Sequence, residues 1–232
     1  MYLAFLDVLG FGSLVLRDWA RARSQYEELI RATNEAAGGV RLNTTVQMIS
    51  DSIIVKGSEL KEVVLNTRYF LQGAVRSRCL IRGAISAGRH VEFSSSGHFQ
   101  VVSEALSKAA TLEKVAEHPR IIIDSESIPD QDGWYETVPR GRSNVTRMML
   151  WRDGYWCVNP FNLAWFRSPV EIVTEMRQEH LGSKHQPKYD WFLRFAQDVA
   201  VGAPMLPACS LPTVKADDRL WITEPGYWDR NR

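Results

Sequence analysis

Cysteine is scarce in this chain. Only Cys79, Cys157 and Cys209 occur among 232 residues. The count is odd and no C-x-x-C pair exists, which excludes a disulfide scaffold and a zinc knuckle. Cys79 and Cys157 read instead as small core residues. Long hydrophobic runs are also lacking: no stretch of 18 apolar residues exists, so nothing reads as a bilayer-spanning helix. The apolar opening is interrupted by Asp7 and has no basic leader, so no signal peptide is expected, and a reducing cytoplasm is the expected location. Charge of one sign is absent as well. Lys+Arg 28 against Asp+Glu 27 leaves +1, which gives no overall pull towards nucleic acid or an anionic membrane. His90, His98, His118, His180 and His185 show no metal-ligand spacing and are expected at the surface.

With 45% hydrophobic and 24% charged residues, what remains is ordinary globular composition. The length suits one domain, or one domain with an appendage, and buries a core without staples. Residues 2–9 (YLAFLDVL) form a short apolar stretch ending at Gly10, which predicts a buried strand carrying one acid, Asp7. Over 13–36, Trp19, Ala22, Tyr26, Leu29, Ile30 and Thr33 recur at helical spacing, and Gly38-Gly39 stops the helix. Residues 40–48 alternate as a strand, Ser50-Asp51-Ser52 turns, and 53–55 resume, so Asp51 is expected at a hairpin tip. Ser58 is a plausible N-cap for a helix with Leu60, Val63, Val64, Thr67, Phe70, Leu71 and Ala74 on one face. A strand over 79–91, a helix over 102–116 and a strand over 120–124 follow.

Beyond 124 the composition shifts to a loop, then a hairpin over 147–159 around Asp153-Gly154. Helices are predicted over 170–178 and 188–201, with an extended tail over 204–232 laid on the body. Most of the tryptophans lie in this half and read as core or dimer contacts. The expected division is a core over 1–124 and an extension over 125–232.

The order β-α-β-β-α-β within 1–124 is the split arrangement of a ferredoxin-like α+β fold. That topology sets the first and third strands antiparallel, bringing Asp7 and Asp51 to one sheet edge although 44 residues separate them. Two carboxylates about 4 Å apart repel by roughly 4 kcal/mol at an effective dielectric near 20. A divalent cation supplies the missing charge and adds affinity for phosphate oxygens. Gly10-Phe11-Gly12 follows Asp7 and opens a helix, which lets backbone N–H groups approach an anion. Each acid also has a plainer reading, Asp7 as a helix cap and Asp51 as a turn residue. Asp7 resists it because it sits inside an apolar strand.

Four segments resemble the motifs of class III nucleotide cyclases, in family order across roughly residues 2–124. FLDVLGFG resembles the first metal-binding motif D-x-x-G-F, and MISDSI the second, I-G-D-S. IRGAISAG resembles the R-x-G-I-H-x-G strand, and EALSKAATLEKVA the V-N-x-A-A-R-L-E helix. The resemblance implies conversion of a nucleoside triphosphate to a 3′,5′-cyclic monophosphate and pyrophosphate, with two Mn2+ or Mg2+ ions per site. It implies Asp7 and Asp51 as metal-ligand acids, the Val8 carbonyl as a further metal contact, and Leu9, Gly10 and Phe11 as phosphate-holding backbone. It also implies a homodimer with shared sites.

Departures from the family pattern are as informative. The transition-state Asn and Arg align with Ser107 and Thr111, so another cation must act, with Arg82, Arg89, Arg78 and Lys108 as candidates. Ser50 replaces a glycine and Ser86 a histidine. At the base-reading position, where purine cyclases carry Lys or Glu, stands Gln47. Its amide donates and accepts and commits to neither purine. In this, and in lacking sensor or membrane segments, the chain is similar to Pycsar-type pyrimidine cyclases of bacterial anti-phage systems. The expected reaction is therefore UTP to cyclic UMP, with cyclic CMP second. A cyclic-nucleotide-responsive effector is the expected downstream partner, and no direct nucleic acid is expected. Two other readings stay open: an inactive nucleotide-binding dimeric sensor, and a palm that forms oligonucleotides.

Overall fold

The computed structural model describes residues 1–95, 98–128, 148–161 and 167–200. The chain divides into two compact units, Met1–Ile128 and Pro129–Arg232. Among the described residues no helix is long and apolar enough to cross a membrane.

The first unit is an α+β ferredoxin-like palm. Its strands are β1 (Tyr2–Val8), β2 (Thr44–Ile49), β3 (Ser52–Gly57), β4 (Ile81–Ala87) and β7 (Ile121–Ile123), ordered β2-β3-β1-β4-β7. β1 runs antiparallel to both β3 and β4, as the split β-α-β reading requires, and β4 runs parallel to β7. Side chains alternate across β1. Leu3 and Phe5 pack with Ile54 of β3 against Ala105, Leu106 and Ala109 of α4 (Glu104–Val115). The opposite face of β3 and β2 meets α3 (Leu60–Arg76), so the sheet is sandwiched between helices. α3 is buried nearly all round, Arg68 and Gln72 included, and is the most deeply buried helix of the unit.

The single helix expected over 13–36 is two: α1 (Phe11–Arg17) and α2 (Trp19–Ala37). Asp18 breaks them because its carboxylate accepts the Arg21 N–H at 3.0 Å and caps α2. The break reorients the face, so Trp19 and Ile30 are exposed rather than packed. Gly38, at φ 56, closes α2. α2 lies hard against α3. A Cβ placed on Gly73 would come within 2.2 Å of Thr33 Oγ1 and 2.7 Å of its nitrogen. The cap of α3 is Glu59 rather than Ser58, and no side chain completes it. β2 starts at Thr44, four residues later than its alternation suggests.

The strand expected over 79–91 ends at Ala87. The chain then forms a separate ribbon, β5 (His90–Ser95) against β6 (His98–Ser103). Val91 pairs with Val102, and Phe93 lies on the same ribbon face; all three are exposed. The other face carries His90 and Glu92 against Lys56 of β3. The His90 side chain is therefore enclosed, contrary to the surface position expected for it, with Glu92 at 3.1 Å. Cys79 is buried as expected, and burial pushes its thiol up to about 11.

In the second unit, β8 (Met149–Arg152) and β9 (Tyr155–Val158) form the expected hairpin, with Asp153 and Gly154 both at positive φ. The helices are α5 (Arg167–Glu179) and α6 (Gln186–Ala200). Phe161 packs tilted against Phe192 and edge-on against Phe195, with centroids 5.4 and 5.7 Å apart. The Arg152 guanidinium lies 5.2 Å over the Trp191 ring and pairs with Asp198. The expected tail over 204–232 and most of the loop over 125–141 lie outside the described residues.

Candidate functional site

The site is built where β1 ends. β1 carries Asp7 on the face shared with Leu3 and Phe5, one residue before the strand stops. Its register partner on β3 is Ser52, and on β4 it is Arg82. Asp51 precedes Ser52 in a two-residue turn closed by the Ile49–Ser52 pair. The Asp51 carbonyl accepts the Val8 N–H at 2.9 Å, which ties this turn directly to the end of β1. Ser50, in place of the glycine, takes a left-handed φ of 57, a conformation that is uncommon without glycine.

Past Val8 the chain turns at Gly10, with φ 82, into α1. Gly12 then passes close to the hairpin tip: a Cβ there would stand 3.2 Å from Asp51 Oδ2. The Asp51 carboxylate thus lies against the glycine turn that follows Asp7. Phe11 is buried, its ring 5.7 Å from that of Tyr26. The Leu9 N–H already donates to the Leu80 carbonyl at 2.9 Å. This removes Leu9 from the set of amides available to an anion and leaves Gly10 and Phe11.

Arg82 reaches from β4. Its Nε–H donates to Asp7 Oδ2 at 3.1 Å, and the same nitrogen lies 2.6 Å from Glu113 Oε1. The Glu113 approach is off the N–H axis, so it is an ion pair and not a hydrogen bond. Glu113 is 6% exposed, two turns beyond Ala105 on the buried stripe of α4. Burial raises its carboxyl above the usual range, Arg82 opposes that, and Asp7 adds to it. Glu113 is not among the site residues that the sequence suggests. The signal for more was its place at i+8 on a stripe otherwise made of alanine.

The remaining expected residues are distributed unevenly. Gln47 pairs with Ile54, so it shares the sheet face of Asp7, one same-face step away. Strand spacing puts the two Cα positions roughly 12 Å apart. Arg78 is exposed in the turn before β4, at the same sheet end. Arg89 is at the other end: Ala87 pairs with Tyr2, and Gly88 N–H donates to the Met1 carbonyl. That is about 17 Å along β1 from Asp7. Arg89 pairs there with Glu104 at 3.2 Å, as Lys108 does at 3.1 Å, and their hydrogen bonds hold the Glu104 carboxyl down to about 2. Ser107 and Thr111 are exposed on α4, away from the stripe that meets the sheet, and each hydroxyl donates to the carbonyl one turn back. Within one chain neither approaches Asp7.

Two carboxylates form a hard-oxygen donor set suited to Mg2+ or Mn2+, which take one or two carboxylates plus substrate phosphates. Among the described residues no group of three or more His, Cys, Asp or Glu side chains could hold an ion by itself. Any ion at Asp7 and Asp51 therefore depends on oxygen ligands from elsewhere.

No protein-family model matches the sequence, and no curated protein matches it. Solved structures do. The adenylyl cyclase CyaB from P. aeruginosa matches with a TM-score of 0.46 at 14% identity, covering 68% of this chain and 93% of that one. The guanylyl cyclase Cya2 matches with a TM-score of 0.49 at 12% identity, covering 71% and 93%. The guanylyl cyclase domain of the RhoGC fusion protein from the fungus Blastocladiella emersonii matches with a TM-score of 0.45 at 13% identity, covering 68% and 94%.

Proposed function

We propose that this chain is a nucleotide cyclase. One observation supports the reading: Asp51 sits in the turn whose carbonyl takes the Val8 N–H, so it lies at the same sheet end as Asp7, with its carboxylate beside Gly12. The substrate 3′-oxygen attacks the α-phosphorus, the bond from that phosphorus to the pyrophosphate oxygen breaks, and the 3′-hydroxyl proton is lost. The products are a 3′,5′-cyclic monophosphate and pyrophosphate. Bound Mn2+ or Mg2+ would neutralise the triphosphate and acidify the 3′-hydroxyl. Asp7, Asp51 and the Val8 carbonyl hold the ions in this reading, and the Gly10 and Phe11 amides steady the phosphates. Arg82 is the candidate cation that the chain itself places beside Asp7. Arg89, Ser107 and Thr111 enter only from a second copy, which makes the working enzyme a homodimer.

Gln47 favours a pyrimidine triphosphate, UTP first and CTP second, since its amide matches neither purine reader. The expected setting is second-messenger production in anti-phage defence, acting on a cyclic-nucleotide-responsive effector. The test is incubation of the full chain with each of the four ribonucleoside triphosphates and Mn2+, with products resolved by mass. A single cyclic pyrimidine monophosphate supports the proposal. Oligonucleotides would reassign the palm to polymerisation, and binding without product would make it a sensor. Gln47→Lys should shift the preference towards ATP by about tenfold, one good base contact; unchanged selectivity removes Gln47 from base reading.

A further inference from the structure

Arg82 sits between two acids with very different surroundings. Asp7 is at the mouth of the site with a quarter of its side chain exposed, whereas Glu113 is enclosed at 6%. The hydrogen bond goes to Asp7, while the closer carboxylate, Glu113, holds Arg82 through charge alone. A buried carboxylate whose Oε1 makes no hydrogen bond, 2.6 Å from a guanidinium pointed elsewhere, is an incompletely used acceptor. Both carboxylates thus lie within reach of the same Nε.

We propose that Arg82 is a built-in occupant of the cation position at Asp7, and that Glu113 is the positioning residue that receives Arg82 when a divalent ion takes its place. This rests on the metal reading of Asp7 and Asp51. The placement accounts for three facts together. Asp7 is neutralised within the chain, which prevents two bare aspartates from repelling at the sheet end. A buried acid stands on an otherwise alanine stripe of α4. Arg82 sits in register with Asp7, where its charge opposes entry of any other cation unless a second acceptor draws it off. Glu113 is therefore not a metal ligand; it acts on metal affinity through Arg82.

The experiment is a Mn2+ titration of the full chain followed by electron paramagnetic resonance, with circular dichroism melts confirming that each variant is folded. Glu113→Gln leaves Arg82 on Asp7 and should weaken Mn2+ binding by about tenfold, the scale of coupling between contacting charges. Arg82→Met should tighten it. The deciding arm is the double variant. With Arg82 absent, Glu113→Gln should have no further effect on Mn2+ affinity. If it weakens binding equally in both backgrounds, Glu113 acts through space and the exchange is refuted. If Glu113→Gln alone changes nothing, the exchange is likewise refuted while the metal site stands. Mn2+ binding undiminished by Asp7→Asn and by Asp51→Asn would instead overturn the metal reading itself.

Discussion

The two ends of β1 carry charged clusters of opposite character. At the end near Tyr2, the Lys56 ammonium meets Glu92, His90 leans on the same carboxylate, and Glu104 is held by both Arg89 and Lys108. Each acid there has at least one cation in contact. At the Asp7 end Arg82 is shared between Asp7 and Glu113, and the Asp51 carboxylate lies beside Gly12. The first arrangement is electrostatically closed and braces the ribbon and the start of α4. The second shares one guanidinium between two acids beside a backbone turn opened by glycine. Carboxylates clustered around a shared cation beside an open turn mark a candidate functional site.

Exchanging charges at each end should produce the largest contrast. Asp7→Asn or Asp51→Asn should lower the cyclisation rate by about 1,000-fold or more, the scale of losing a preorganised electrostatic contact. Lys56→Met, at the closed end, should leave it within about twofold. Steady-state rates with the preferred triphosphate measure both, and equal losses at the two ends would erase the distinction. Next in size is Gly83→Ala. Its Cβ would stand 2.4 Å from the Phe5 carbonyl oxygen and 2.7 Å from Leu6 Cδ2, prying β4 from β1 near Arg82. A stability loss of about 1–3 kcal/mol is expected in urea unfolding, as for other overpacked sites. A loss near zero would mean that the two strands are not so tightly joined.

The smallest effect belongs to Glu104. Its carboxyl lies at about 2 in the fold against 4.5 ordinarily, through Lys108 and Arg89. A depressed folded value means that its stabilisation is present above about pH 4.5 and fades as pH falls towards 2. Melting curves of wild type and Glu104→Gln should therefore differ at pH 7 and converge only as the pH falls below about 2, where both carry a neutral side chain. A gap that persists at low pH would show that the contribution is not ionic.

The palm was legible in the sequence because its signals are local and periodic: the apolar β1 stretch, the alternation ending at Ser50, the buried face of α3 and the Asp153-Gly154 turn. Where a capping side chain competes with periodicity, the pattern misleads. Asp18 interrupts a run that looks continuous, and Trp19 ends exposed. The β5–β6 ribbon was hidden because 79–91 reads as one strand with small residues in its middle, so Gly88 does not stand out as the place where the sheet is left. At the site, topology alone brought Asp7 and Asp51 to one edge. Glu113 stayed invisible because its meaning depends on Arg82, 31 positions earlier and on another element. Leu9 lost its expected part for a similar reason, since the Leu80 carbonyl that takes its N–H belongs to a distant turn.

The closeness of Gly73 to Thr33 has a mechanical consequence. With no side chain able to fit between them, α2 and α3 cannot slide past each other without first separating, so they form a stiff backing plate behind the sheet. Compliance around Asp7 is then confined to the opposite side, where α4 rests on small alanines and Glu113 reaches Arg82. Whatever adjusts during a reaction cycle should adjust there, against an unyielding rear wall.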